Sequence, residues 1–166
     1  MTHPVDVVVP VFGGFDATQR CLSSLLHYRQ ATAHEIVVVN DASPETRIVE
    51  YLRELEQQGA VTLIHHAENR GFVVSVNEAF DLHPDRDVVV LNSDTEVAGD
   101  WLDRLARCAA AQPGVGTVTP FSNNGTICSY PRFCHDNDHP ADVSVAELDA
   151  LFRDAAGIQT PELPTA

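Results

Sequence analysis

Short runs of valine and isoleucine recur along the first three-quarters of the chain, at residues 5–11, 35–40, 61–65, 87–91 and 115–119. Within each run the apolar residues are close to consecutive, as in strands covered on both faces, and not alternating as in strands with one wet face. Between the runs the spacing changes to three and four residues. Cys21, Leu22, Leu25 and Leu26 make one such stripe, and Ile48, Leu52 and Leu55 another. That period predicts amphipathic helices. Asp16 with Gln19 resembles a capping box for the first, while Ser43 and Pro44 offer the second an N-cap and a first-turn proline. A third helix is expected after Gly71, and a fourth from about Trp101 until Pro113 and Gly114 stop it. Strand and helix in alternation predict a three-layer α/β fold with a doubly wound, mostly parallel sheet.

After Thr119 the pattern breaks. Residues 120–142 are polar and rich in asparagine, histidine and proline, so a long loop is expected there, and loops of that length usually carry function. Ser144 with Glu147 then opens a last short helix through Val145, Leu148, Leu151 and Phe152. The chain therefore divides into an α/β core over residues 1–119 and a loop-plus-helix segment over residues 120–166.

Composition narrows the ligands. At 166 residues and 44% hydrophobic the chain can bury one substantial core. A formal net charge of −14 argues against a nucleic-acid partner, because phosphate backbones require a lysine and arginine surface. A single nucleotide stays possible if a cation or a few arginines offset the repulsion locally. No apolar run approaches the roughly 20 residues of a membrane span, so a cytoplasmic protein without a transmembrane segment is expected, at most peripheral at the inner membrane. Cys21, Cys108, Cys128 and Cys134 show no CxxC spacing and read as reduced thiols. The Asn124-Gly125-Thr126 triplet matches a glycosylation acceptor, a coincidence in such a compartment.

In a parallel α/β sheet, ligands bind beyond the carboxyl ends of the strands. Two carboxylates, Asp41 and Asp94, follow the second and fourth predicted strands and would share that rim. A carboxylate can accept the imide N–H of a pyrimidine base, and another can hold a hard cation bridging a diphosphate. Either aspartate could equally be an ordinary turn residue.

Four segments in order turn this chemistry into a resemblance: Val8 to Phe12, Val37 to Ser43, Glu68 to Phe72 with Asn77, and Leu91 to Glu96. In order and spacing they resemble the N-terminal half of family 2, GT-A-type glycosyltransferases, over about residues 5–119. The resemblance implies a GT-A-like, Rossmann-like fold and a nucleoside diphosphate sugar donor, linked to UDP, dTDP or GDP. It implies that Asp41 reads the base and that Pro10, Val11 and Phe12 pack around base and ribose. Arg70 and Gly71 would lie near the diphosphate, with Asn77 bracing their loop. Asp94 corresponds to the last aspartate of the family's DxD motif, the ligand for Mn²⁺ or Mg²⁺. Asn92 stands where the first aspartate would be; it and Ser93 can still hydrogen-bond the nucleotide, as in members resembling rhamnosyl- and O-antigen-type transferases. Residues 119–126 also resemble a subset of large bacterial surface-polysaccharide transferases.

The implied reaction is transfer of a sugar, with inversion, to a glycan or lipid-linked acceptor. Inverting members take a general base from a later, acceptor-side segment, and that base is expected beyond Ala166, so the catalytic residue is unknown and this chain alone is expected to be inactive. The rival reading is a non-catalytic nucleotide-sugar-binding domain. A nicotinamide or P-loop enzyme is disfavoured, since Gly13-Gly14 makes neither GxGxxG nor a P-loop. His135, Asp136, Asp138 and His139 lack a recognised ligand spacing and read as solvated loop, and His65-His66 as structural.

Overall fold

The computed structural model describes residues 4–156. Four strands form: β1 (Val5–Val11), β2 (His34–Asn40), β3 (Thr62–His65) and β4 (Asp87–Val90). All pair in parallel, in the order β3-β2-β1-β4. The chain winds outward from β1 through β2 to β3 and then returns to the other flank of β1 with β4. The sheet is thus doubly wound, as the alternating pattern predicts.

The helices α1 (Phe15–His27), α2 (Thr46–Gln57) and α3 (Phe72–Phe80) connect these strands. Val8, Val37 and Val39 build a core with Ala79 of α3, flanked by Ile64 and Val88. Val7, Val9 and Val38 alternate to the opposite face, the side that right-handed crossovers give to α1 and α2. Leu22, Ile48 and Leu52 are wholly buried from those two helices. Burying each such side chain contributes about 1.5–3 kcal/mol.

Two compact units result, Met1–Val97 and Ala98–Ala166. The second contains α4 (Trp101–Ala110), a single 3-10 turn at Thr126–Cys128, and α5 (Val145–Ala156). In its long loop Asn137, 6% exposed, shares its amide N–H groups among the carbonyls of Asn123, Arg132 and His135 and accepts from Arg132 N–H, beside bonds such as Gly125 N–H on Ser129 Oγ. At α5 the Ser144–Glu147 capping box forms, with Glu147 N–H on Ser144 Oγ at 3.2 Å and Ser144 N–H on Glu147 Oε2 at 2.7 Å.

The structure corrects three local expectations. Residues 115–119 form no strand. In VGTVT each alternate face would carry a single valine, too little apolar surface to bury, and Val115 is 41% exposed. Helix α1 starts at Phe15 behind a left-handed Gly14, which leaves Asp16 inside the first turn, where its charge favours the helix dipole without a capping box. Helix α2 starts at Thr46 with Glu45 at the N-cap, so Ser43 and Pro44 precede it. Ser43 is used elsewhere.

Candidate functional site

The order of strands reverses between β1 and β4, and a parallel sheet opens a crevice at such a point. A cleft of about 510 Å³ lies there, lined by Pro10, Phe12, Gly13, Gly14, Ala17, Phe72, Asn92, Ser93 and Asp94. A hollow of similar volume sits at the opposite end of the sheet, around Tyr28, Arg29 and His34. It is at the amino ends of β2 and β3, where the topology converges no strand-end loops.

The first wall of the cleft is the turn between β1 and α1, held from the neighbouring turn. Ser43 Oγ accepts from Gly13 N–H at 3.3 Å and donates to the Val11 carbonyl at 3.4 Å, while Glu45 Oε1 accepts from Gly14 N–H at 2.6 Å. Ser43 is itself fixed by its N–H on Asn40 Oδ1 at 3.0 Å. Phe12 is left 58% exposed at the mouth.

The second wall follows β4. Asn92 and Asp94 are exposed and Ser93 half-buried. The Asn92 carbonyl accepts from Thr95 N–H at 3.0 Å and from the Cys21 thiol at 3.5 Å, which fixes the turn that presents Asp94. Asp94, Asn92 and Ser93 give the cleft oxygen donors, with Asp94 the single carboxylate among its lining residues. One or two carboxylates with neighbouring oxygens suit a hard cation such as Mg²⁺ or Mn²⁺, the rest of whose shell comes from phosphate and water.

Asp41 belongs to the next layer. Its carboxylate is 4% exposed and already engaged by the protein. Oδ1 takes the Arg70 N–H at 2.7 Å and faces His66 Nδ1 at 2.7 Å, while Oδ2 takes the Gly71 N–H at 2.8 Å. Burial alone would raise its pKa, but His66 and the two backbone N–H groups outweigh that and hold it below the usual carboxylate range. His66 reaches on through Nε2 to Glu78 Oε2 at 3.1 Å, and Glu78 Oε2 receives the Arg70 guanidinium at 2.6 Å.

Pro10, Phe12, Asn92, Ser93 and Asp94 are thus gathered around one cleft. Asp41, Arg70 and Gly71 form a hydrogen-bonded cluster that adjoins it through Phe72. Val11 ends β1 with its side chain 1% exposed, and its carbonyl accepts from Ser43 Oγ and from Asp41 N–H at 2.9 Å. Arg70 directs its side chain to Glu78. Asn77, expected to brace the loop, is exposed on α3, and the brace is supplied by Asp41, His66 and Glu78. His66 and Glu78 carry no motif of their own. The one hint in the sequence is a histidine directly after the short strand β3, level with the Asp41 turn.

Residues 6–132 match the family described as Glycosyl transferase family 2. Over 108 residues the chain is 28% identical to the uncharacterized glycosyltransferase YibD of Escherichia coli (strain K12), covering 65% of this chain and 31% of that protein. Among solved structures it resembles the mannosyltransferase PcManGT from Pyrobaculum calidifontis, in complex with GDP-Man and Mn²⁺. That likeness has 25% identity and a TM-score of 0.61 over 74% of this chain and 37% of that one. Residues 1–349 of S. aureus TarS, in complex with UDP-GlcNAc, share the fold at 18% identity and TM-score 0.56, over 72% and 38% of the two chains. The chain therefore spans about a third of the length of the relatives it matches. Among the described residues no helix is long and apolar enough to cross a membrane.

Proposed function

The chain belongs to glycosyl transferase family 2, and from that premise we propose that it binds the nucleoside diphosphate sugar donor of a transferase acting on a glycan or lipid-linked acceptor. One observation carries the reading: Asp94, Asn92 and Ser93 meet Pro10 and Phe12 in a single cleft at the switch point of the sheet. Phe12 and Pro10 offer apolar contact to base and ribose, and Asp94 offers a ligand for the cation that the diphosphate end needs in a protein of net charge −14. A divalent cation held by Asp94, when bound, neutralises the diphosphate and stabilises it as a leaving group. That PcManGT was solved with GDP-Man and Mn²⁺ supports this choice of donor and ion.

In the reaction the acceptor hydroxyl oxygen bonds to the anomeric carbon from the face opposite the diphosphate. The bond from that carbon to the diphosphate oxygen breaks, and the hydroxyl proton passes to a general base. Asp94 is the one carboxylate lining the cleft and would serve to hold the ion, which leaves no second carboxylate among those lining residues to act as the base. The same observation favours a second reading, a segment that binds donor without turning it over. A transfer assay on these 166 residues decides between them: donor binding without transfer is expected, and robust transfer would place the base within this chain.

Calorimetry against UDP-, dTDP- and GDP-sugars with Mn²⁺ tests the donor and its base. Asp94→Ala should abolish the gain that Mn²⁺ gives to binding and leave the melting temperature unchanged, since an exposed turn carboxylate contributes little packing. Metal dependence that survives in this variant would show Asp94 to be an ordinary turn residue.

A further inference from the structure

Two phenyl rings stand exposed on the cleft that receives Asp94. Phe12 is 58% and Phe72 54% exposed, and both line the same concavity. Large apolar side chains left open on one concave surface mark a contact with a ligand more often than a packing defect. Phe12 follows β1, while Phe72 is the first residue of α3.

The placement of Phe72 is unusually well fixed for so exposed a residue. Gly71, just before it, has φ 85° and ψ 160°, a backbone region almost closed to other residues, and its N–H is tied to Asp41 Oδ2. The bonds behind it close into a ring. Asp41 Oδ1 meets His66 Nδ1, His66 Nε2 meets Glu78, Glu78 receives the Arg70 guanidinium, and the Arg70 N–H returns to Asp41 Oδ1. The His66 side chain is 4% exposed and both its ring nitrogens are matched to carboxylates. Asp41 and His66 form the buried half of the ring, while the Arg70 and Glu78 side chains that close it are 47% and 39% exposed; the buried, fully satisfied half is the part that rigidifies the turn.

We infer that Phe72 is a second aromatic wall for the flat base of the donor nucleotide, beside the Phe12 already assigned to it, and that the Asp41–His66–Glu78–Arg70 ring is the frame that positions Phe72. The inference rests on the reading of this cleft as a nucleoside diphosphate site. The flat base suits these two rings better than the sugar does. A phenyl ring stacks on any base, whereas sugar hydroxyls require hydrogen-bond partners that two phenyl rings lack. The diphosphate belongs with Asp94 and its ion. Phe72 is then a binding residue, and His66 and Glu78 are positioning residues.

The test is calorimetry in Mn²⁺ with UDP, GDP and, as a base-free probe, pyrophosphate. Phe72→Ala should weaken UDP and GDP about tenfold, in keeping with the loss of one stacking contact, and leave pyrophosphate unchanged. Phe72→Tyr should restore nucleotide binding. Glu78→Gln should weaken UDP by a smaller factor, and the double variant Phe72→Ala with Glu78→Gln should bind no more weakly than Phe72→Ala alone, because the ring acts through Phe72. Thermal melting of each variant separates these effects from unfolding; a half-exposed Phe72 should be replaceable without loss of fold. Wild-type affinity for UDP in Phe72→Ala, or equal losses for UDP and pyrophosphate, would overturn the assignment of Phe72 to the base. Full additivity in the double variant would overturn the role of the ring. A wild-type protein that binds pyrophosphate but no nucleotide would overturn this inference alone, and one that binds none of the three would overturn the reading of the cleft with it.

Discussion

Asp41 carries more of the fold than a ligand contact requires. Its two oxygens fasten residues 70 and 71 to the end of β2, and the carboxylate must be charged for all three donors to be held well. Its folded-state pKa lies below the ordinary carboxylate value, so its contribution to stability is complete above that value, about 3.9, and is lost as pH falls through the folded pKa. Thermal melting should therefore be steady toward pH 5 and fall below about pH 4, with Glu35 and Asp100 adding in the same direction. Asp41→Asn should melt lower than wild type at pH 7 and show a shallower acid limb; an unchanged limb would remove Asp41 from the account. Cys21 shows the opposite shift. Burial pushes its thiol up to about 12, with the Thr95 N–H opposing and the charge of Asp94 adding to the rise. Alkylation at pH 8 should label the exposed Cys134 and spare Cys21 until the protein unfolds. Early labelling of Cys21 would show that α1 opens locally.

The turn from β1 into α1 is short because a glycine makes it so. Gly14 sits at φ 75° and ψ 58° as the N-cap of α1, and no side chain caps that helix. A β-carbon added there would meet nothing within 4 Å, so the cost of Gly14→Ala is torsional and not steric. About 1–2 kcal/mol of destabilisation is expected, and Gly14→Asn should cost less, since asparagine tolerates the left-handed region. Urea unfolding measures both. Equal losses for alanine and asparagine would mean that the turn rearranges. The same turn also depends on Ser43 and Glu45 from the next βα connection, so the wall of the cleft is built jointly by two turns about 30 residues apart in sequence.

Charge acts on the molecule as a whole. A chain of net charge −14 repels a free nucleoside diphosphate, and no lysine or arginine lines the cleft to counter this. Without metal, UDP should bind more tightly as salt is raised toward about 0.2 M, because screening weakens the repulsion. With Mn²⁺ the ligand is largely neutralised and the dependence should flatten. Titrations across a salt series with and without Mn²⁺ check this, and metal-free binding that tightens at low salt would point to a cationic patch outside the cleft.

The sequence by itself determined the parallel sheet, its doubly wound order and the strand-end positions of Asp41 and Asp94. Consecutive valines can be buried only between two layers of helices, and strand-end residues of a parallel sheet must share one rim. It also placed the capping box of α5, a bond between residues three apart. It could not separate helix starts where a glycine backbone, and not a side chain, does the capping, as at α1. It overstated residues 115–119, where the valines alternate with threonine and glycine and leave no face worth burying. Above all it could not show that Asp41 is already bonded inside the protein, that His66 and Glu78 complete its ring, or that Phe72 stands with Phe12 on one cleft. Those contacts join residues 12 to 60 positions apart across three connections, and only the closing of the sheet brings them within hydrogen-bond reach.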